Sequence, residues 1–138
     1  MDRKKPQVIN LPRFLDARGN LSFVEQNNHV PFEIKRTYWV YDVPGGEERW
    51  GRAFYESEEF IISLAGSFDV ILDDGFEKMK FSLNRSYYGL YIPNGYWRVL
   101  DNFSTNSFAL VLSSTNYDER DYIRDYDKFV KLKHDGKI

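Results

Sequence analysis

The sequence contains no cysteine, and this absence excludes several classes of protein. A disulfide framework, a thiolate zinc site and a thiol nucleophile all require cysteine, so none of them can operate here. Only two histidines occur, His29 and His134, which excludes any site built from several imidazoles. The lack of disulfides is consistent with a reducing compartment, and we expect a cytoplasmic protein.

The chain also lacks a dominant charge and long hydrophobic runs. Its 19 Lys and Arg residues against 21 Asp and Glu residues give a formal net charge of −2, which offers no electrostatic reason to expect a nucleic-acid partner. No apolar run approaches the roughly 20 residues that cross a bilayer, and the polar start has no signal-peptide core, so we expect no membrane partner. The 138 residues are predicted to form one soluble domain.

Aromatic residues are abundant, at 17% of the chain, and favour β-strands. Short apolar segments alternate with turn signals, such as Pro-Gly-Gly at 44–46 and Asp-Asp-Gly at 73–75. We predict eight or nine strands, at 8–11, 21–25, 34–42, 59–64, 67–72, 77–83, 89–92, 97–100 and 107–113. Strands spaced at roughly 8–12 residues favour an antiparallel sandwich or barrel over alternating strands and helices.

The last part of the chain has a different pattern. Residues 118–133 carry apolar side chains near helical spacing, with acids early and lysines late, as the helix dipole favours. We therefore predict one short C-terminal helix within this range, packed on the β-structure.

Two glycine-bounded segments, 51–66 and 89–98, resemble the paired motifs of cupin barrels. Cupins bind a metal inside a jelly roll through His-x-His and Glu of the first motif and a His of the second. Here Arg52, Phe54 and Arg98 fall on the histidine positions, and only Glu59 keeps a ligand type. One carboxylate beside two guanidiniums cannot hold a transition metal against water. We therefore expect an all-β, cupin-type antiparallel jelly roll without a metal.

A closer resemblance covers nearly the whole chain. The segments DxRGxL at 16–21, PFxIKRxY at 31–38, LDDG at 72–75, GLYI at 89–92 and DExDYIRxY at 118–126 are similar, in order, to those of the sugar 3,4-ketoisomerases. That family acts on dTDP-4-keto-6-deoxyglucose during the synthesis of deoxyaminosugars. The resemblance implies a small cupin barrel, a homodimer with exchanged N-terminal strands, and catalysis without metal or organic cofactor.

The sequence departs from this family at the proposed acid/base groups. The family pattern is Arg-Gly-x-His-Ala-His, whereas residues 49–54 read RWGRAF, so Arg52 and Phe54 replace both histidines and a family Gln falls on Glu59. Moving a carbonyl from C4 to C3 needs a group that takes the C3 proton and delivers one to C4. Arginine stays protonated and phenylalanine has no proton to exchange, so neither replaces imidazole.

Three residues are candidates for the catalytic roles. Glu59 can accept a proton if aromatic surroundings raise its pKa, and Arg52 can stabilise an enediolate oxygen. Tyr38, which matches a family pocket tyrosine, can donate a proton or hydrogen-bond the sugar. Alternatively, Glu59 is only the ion-pair partner of Arg52 or Arg98. Arg98 is also a substrate-binding candidate, since it matches a variable family position that bears on the C4 configuration of the product.

The other binding candidates are arginines and aromatic residues. Arg18, Arg36 and Arg49 match family arginines, and the guanidinium fork suits a diphosphate. Tyr91 and Trp97 are candidates to flank thymine or the sugar. Each has a structural alternative, which is a salt bridge for the arginines and core packing for the aromatic residues.

The residues leave more than one function open. One is a ketoisomerase of a dTDP-linked 4-keto-6-deoxy sugar with a rearranged acid/base set. Another is a non-catalytic cupin that binds a nucleotide sugar or partners an active paralogue, which the loss of both histidines favours. A third is a different sugar-nucleotide epimerase or isomerase that uses Glu59 and Tyr38. No cofactor is expected in any of them.

Overall fold

The structure, a computed structural model, describes residues 4–138, except for the side chain of Trp50. A 3₁₀ turn at Glu119–Asp121 precedes the last strand. Among the described residues, no helix is long and apolar enough to cross a membrane. The elements in chain order are β1 Gln7–Asn10, β2 Phe14–Asp16, β3 Gly19–Leu21, β4 Arg36–Tyr41, β5 Arg49–Phe54, β6 Glu59–Ala65, β7 Phe68–Asp73, β8 Lys78–Leu83, β9 Tyr88–Ile92, β10 Trp97–Asp101, β11 Phe108–Ser113, β12 Tyr122–Ile123 and α1 Tyr126–His134.

Ten of these strands form two five-stranded antiparallel sheets. The first sheet has the order β1-β9-β6-β11-β4, and the second has the order β12-β5-β10-β7-β8. The hairpin β2–β3 forms a separate two-stranded sheet. Side chains from both large sheets share one apolar core. The predicted all-β jelly roll with a short C-terminal helix is confirmed.

The central strands β6 and β9 of the first sheet are buried on both faces, which explains their nearly continuous apolar sequences. In β6, Ile61 points into the core between the sheets, whereas Phe60 and Ile62 point to the opposite face. Residues of the N-terminal segment, including Leu11 and Phe32, cover that opposite face. Because successive side chains of a strand alternate between faces, the first residue of β6, like Ile61, points between the sheets.

The short C-terminal helix occupies only the second half of the range with helical spacing. It begins at Tyr126, where the side chain of Asp125 accepts a hydrogen bond from the Lys128 N–H at 3.1 Å. Residues 118–125 instead form the 3₁₀ turn and β12, which pairs with β5. The first half of the range 118–133 is therefore not helical, because strand pairing outweighs the apolar spacing there. Within α1, Phe129 is fully buried against Trp97.

The strand predictions miss the short strands β2 and β12, and they fail at two longer segments. The segment 22–25 is not a strand, and only Leu21 belongs to β3. Strand β5 is missing from the predictions, because its sequence RWGRAF lacks an alternating apolar pattern. Its pairing with β10 shifts register between Arg98 and Leu100, which is the signature of a bulge. β5 is nevertheless the strand that brings the arginines of the RWGRAF segment into the barrel.

Gly51 in β5 lies directly against Trp97 of β10. A Cβ atom at this position would lie 2.5 Å from Cε2 of Trp97. We predict that Gly51→Ala lowers the free energy of unfolding by about 1–3 kcal/mol, because the indole must move out of a packed core. Urea unfolding measures the change. The matched control is Gly45→Ala, which meets no atom within 4 Å and should be neutral; equal losses in both variants would contradict the explanation.

Candidate active site

Two adjacent spaces open between the sheets at one end of the barrel, and they share Tyr38, Val40, Arg49 and Arg52 as a common wall. The inner cavity has a volume of about 20 Å³ and is also lined by Glu59, Ile61, Arg98, Leu100 and Val111. The outer cleft has a volume of about 230 Å³ and is also lined by Arg36, Trp39, Tyr117 and Tyr122. The inner cavity has room for little more than one water molecule.

A buried ion pair joins the two sheets at the inner cavity. Glu59 at the start of β6 is 0% exposed, and Arg98 in β10 is 2% exposed. Arg98 Nη1 donates to Glu59 Oε1 at 2.7 Å, and Arg98 Nη2 donates to the carbonyl oxygen of Tyr96 at 3.1 Å. Burial lowers the pKa of Arg98, but the guanidinium remains charged because the carboxylate opposes that shift. Glu59 is therefore an ion-pair partner of Arg98, as the alternative interpretation holds.

Tyr38 links this ion pair to the outer cleft. Its hydroxyl donates to Glu59 Oε2, and the same hydroxyl oxygen accepts a hydrogen bond from Arg52 Nη2 at 3.1 Å. Burial and the negative charge of Glu59 raise the pKa of the Tyr38 phenol, so the phenol stays protonated at neutral pH. The three predicted catalytic residues are thus in one hydrogen-bonded chain.

Aromatic rings surround the guanidinium groups of Arg52 and Arg98, and Phe54 lies beside both. The Arg52 guanidinium lies 5.6–5.9 Å from the ring centroids of Tyr38, Phe54 and Tyr122. The Phe54 ring is fully buried, and the Arg98 guanidinium lies 5.0 Å from its centroid. Cations are attracted to the faces of such rings. Phe54 therefore provides a fixed apolar wall beside the two guanidinium groups.

Arg36 lies on the wall of the outer cleft. Its Nη1 donates to the hydroxyl of Tyr122 and its Nη2 to Ser113 Oγ, both at 3.3 Å. The ring centroid of Tyr117 lies 5.7 Å from the guanidinium. Two buried donors, Arg36 Nε and Arg98 Nε, have no hydrogen-bond partner. Across both spaces, four guanidinium groups face a single carboxylate, so the described lining favours an anionic ligand.

Six of the nine predicted site residues are brought together here. The inner cavity and the outer cleft are lined by Arg36, Tyr38, Arg49, Arg52, Glu59 and Arg98. Alternation along β4, β6 and β10 points Arg36, Tyr38, Glu59 and Arg98 between the sheets. In β5 the register shift against β10 allows Arg49 and Arg52, three residues apart, to line the same space.

Tyr91 and Trp97 lie elsewhere, which corrects the expectation that they flank a ligand in this cleft. Tyr91 points to the covered outer face of the first sheet, where its hydroxyl donates to Glu58 and its ring packs 6.2 Å from Phe32. Trp97 precedes Arg98 and so points to the opposite face of β10, beneath α1. Both residues are core packing, because each sheet is covered on its outer side.

Arg18 is the third predicted residue outside the two spaces. It lies in the exposed turn of the β2–β3 hairpin, where its Nη2 pairs with Asp16 Oδ2 at 2.7 Å. Within one chain, Arg18 is thus a surface ion-pair residue, and this corrects the expectation that it joins the other arginines.

Sequence reasoning missed Tyr117 and Tyr122. Both line the outer cleft, and their ring centroids lie 5.7 Å apart. Tyr122 falls in the segment predicted as helix, and no spacing signal marks Tyr117. Tyr122 reaches the cleft through the pairing of β12 with β5, and Tyr117 lies just before the 3₁₀ turn that leads into β12. Among the described residues, no group of three or more His, Asp or Glu side chains is arranged to hold a metal.

Comparison with known proteins gives a consistent set of relatives. Residues 4–134 match the family model FdtA, described as WxcM-like, C-terminal. A curated relative, the TDP-4-oxo-6-deoxy-alpha-D-glucose-3,4-oxoisomerase of Aneurinibacillus thermoaerophilus, is 41% identical over 125 residues, which cover 91% of this chain and 90% of the relative.

Solved structures of similar proteins share the fold. The WlaRB TDP-quinovose 3,4-ketoisomerase of Campylobacter jejuni has a TM-score of 0.88 and 42% identity, covering 94% of this chain and 99% of that one. A variant of the 3,4-ketoisomerase QdtA of Thermoanaerobacterium thermosaccharolyticum, solved with TDP-4-keto-6-deoxyglucose, has a TM-score of 0.92 and 32% identity, covering 94% of each chain.

The buried ion pair generates a stability prediction. Arg98→Gln should lower the free energy of unfolding by about 3–5 kcal/mol, because it leaves the buried carboxylate of Glu59 without its opposite charge. Urea unfolding measures this. The matched control is Arg120→Gln, which breaks an exposed pair with Asp118 and should leave the unfolding midpoint unchanged. An unchanged midpoint for Arg98→Gln would show that the ion pair does not stabilise the barrel.

Proposed function

Since the chain belongs to the FdtA family, described as WxcM-like, C-terminal, we propose that it is a 3,4-ketoisomerase of a TDP-linked 4-keto-6-deoxy sugar. The named activities of its relatives at 41% and 42% identity support this assignment. The observation that carries it is the hydrogen-bonded chain of Arg52, Tyr38 and Glu59 at a cleft lined by arginines. That arrangement combines an anion-binding surface with groups that can exchange a proton.

The outer cleft is the binding site in this proposal. The guanidiniums of Arg36, Arg49 and Arg52 suit the diphosphate of a nucleotide sugar, because each can make two parallel hydrogen bonds to an oxyanion. Arg36 Nε is a buried donor without a partner, and a buried donor gains most when a ligand oxygen satisfies it. The cleft, unlike the inner cavity, has room for a sugar ring.

The reaction moves one proton between neighbouring carbons and one between their oxygens. The C3–H bond breaks, its electron pair forms the C3=C4 double bond, and the C4 carbonyl oxygen becomes the oxygen of an enediolate. Arg52 stabilises that negative oxygen. A proton then returns to C4, and the O3 hydroxyl proton passes to O4, which leaves the carbonyl at C3. Glu59 is the proton acceptor, since it is the only carboxylate among the described lining residues.

We predict that Glu59→Gln abolishes isomerisation while the affinity for TDP stays nearly unchanged. Glutamine keeps the shape, and its single carbonyl oxygen can still accept the hydrogen bond from Arg98 while its NH₂ group faces the Tyr38 oxygen. It cannot take a proton, and loss of a general base costs about 10²–10⁴ in rate. NMR of TDP-4-keto-6-deoxyglucose incubated with each protein measures turnover, and calorimetry measures binding. The control is Glu58→Gln, whose carboxylate pairs with Lys4 and Tyr91 outside the cleft and should leave turnover unchanged.

A double substitution tests whether the rest of the pocket supports isomerisation when imidazoles are present. Introducing both imidazoles with Arg52→His and Phe54→His should raise the rate of isomerisation.

Rapid turnover by Glu59→Gln would contradict the assignment of Glu59 as the proton acceptor. Binding of TDP without any turnover by the unmodified chain would instead support a non-catalytic nucleotide-sugar-binding cupin.

We also propose that the chain is a homodimer. Three hydrophobic side chains of the β2–β3 hairpin are 57–66% exposed, namely Phe14, Leu15 and Leu21, and the hairpin pairs with no strand of the two large sheets. Strand β4 is at an edge of the first sheet and lies beside the outer cleft. A hairpin from a second copy, paired along this edge, would cover its own apolar residues and carry Arg18 to the cleft, as exchange of N-terminal strands implies.

The dimer predicts a mass of about twice 16.4 kDa in light scattering coupled to size exclusion. Phe14→Glu should shift the protein to the monomer, because it places a charge in the covered hairpin. Phe76→Glu is the control, since Phe76 is 72% exposed in a different hairpin turn and should leave the dimer intact. A monomeric unmodified chain would overturn the proposal.

A further inference from the structure

Tyr38 separates the outer cleft from the carboxylate of Glu59. Tyr38 lines both the cleft and the inner cavity, whereas Glu59 lines only the inner cavity. The cleft measures about 230 Å³ and the cavity about 20 Å³, so a sugar ring fits only on the cleft side of Tyr38. A ligand in the cleft therefore meets the phenol of Tyr38 before it can meet the carboxylate.

Both oxygens of Glu59 are already engaged inside the protein. Oε1 accepts from Arg98 and Oε2 accepts from the Tyr38 hydroxyl, while the side chain is 0% exposed. Direct contact between Glu59 and C3 of the sugar would require breaking one of these hydrogen bonds and widening the cavity. A proton that reaches Glu59 through the existing Tyr38 hydrogen bond requires neither change.

We propose that Tyr38 is the catalytic residue that exchanges the proton with the sugar, and that Glu59 acts behind it as the second member of a proton relay. This inference rests on the proposed ketoisomerase function and changes the role of Glu59 within it. Glu59 becomes the group that receives and returns the phenol proton, and Arg98 holds its carboxylate in position.

Every bond that breaks in the relay is matched by one that forms, in the forward step and in the return step. The Tyr38 O–H bond breaks and its proton bonds to Glu59 Oε2, while the C3–H proton bonds to the phenol oxygen and the C–H electron pair forms the C3=C4 bond. In the return step, the Tyr38 proton bonds to C4 and the Glu59 proton returns to the phenol oxygen. The O3 hydroxyl proton passes to O4. No oxidant, reductant or further reactant is needed.

Two features of the site support a concerted transfer. Burial and the charge of Glu59 raise the pKa of Tyr38, so a free tyrosinate is not populated at neutral pH and the phenol must lose its proton as it gains another. Arg52 Nη2 donates to the phenol oxygen at 3.1 Å, which stabilises negative charge that develops there during the transfer.

The relay is tested with TDP-4-keto-6-deoxyglucose that carries deuterium at C3, and NMR follows the exchange of this deuterium from C3 to C4. Tyr38→Phe should reduce this exchange by at least about 10²-fold, as expected for loss of a general acid/base group. Its affinity for TDP, measured by calorimetry, should stay within about twofold. The matched control is Tyr41→Phe, which removes one hydroxyl from the same strand on the exposed, opposite face and should exchange at the rate of the unmodified chain.

Each result distinguishes the relay from the function on which it rests. Exchange retained in Tyr38→Phe but lost in Glu59→Gln would overturn the relay and assign direct contact to Glu59, with the ketoisomerase function intact. TDP binding with neither exchange nor product in the unmodified chain would overturn both.

A second measurement preserves the fold and the hydrogen bonds of the site. Difluorotyrosine at position 38 lowers the pKa of the phenol without removing it. The relay predicts that this variant loses turnover at an alkaline pH at which the unmodified chain, whose phenol pKa is raised by burial and by Glu59, still turns over. An unchanged profile would overturn the relay, since a tyrosine with a purely structural role does not titrate in the reaction.

Discussion

The ion pair between Arg98 and Glu59 is the interaction on which the site depends. Each charge alone would be costly to bury, by several kcal/mol, and each is accommodated only because the other lies at 2.7 Å. Glu59 belongs to the first sheet and Arg98 to the second, so the pair fixes the distance between the sheets at this end of the barrel. It also orients the second carboxylate oxygen toward Tyr38. The chemistry of the cleft follows from this fixed geometry.

The fold is largely predictable because its strands have strong local signals. The alternating or apolar segments at 34–42, 59–72 and 107–113 correspond to strands in the structure, and the Asp-Asp-Gly turn joins β7 to β8. Prediction fails where local sequence and tertiary pairing disagree. Strand β5 has no apolar alternation and forms through its neighbours β10 and β12. The segment 118–125 has helical spacing, but its tyrosine and isoleucine pair with β5 instead.

The site is predictable for charged residues and much less so for aromatic ones. Arg98 and Glu59 point inward as expected from the cupin-like positions, and a buried charge requires a partner, which the other supplies. Tyr91 and Trp97 carry no such constraint. The N-terminal segment covers the outer face of the first sheet at Tyr91, and α1 covers the outer face of the second sheet at Trp97, so an aromatic residue at either position is buried on the outer face as well as it would be between the sheets. Sequence alone therefore does not indicate which aromatic residues border the cleft.

The position of Phe54 limits the evolutionary routes open to this chain. Its ring lies 5.0 Å from the Arg98 guanidinium and 5.9 Å from that of Arg52. A histidine that appeared at position 54 alone would have two fixed cations beside it, and like charges hold an imidazole in its neutral form. Such a residue would accept protons poorly, so the single substitution would increase the rate of isomerisation very little. A histidine at position 54 is therefore epistatic with position 52, since it gains value only after the cation there has been replaced.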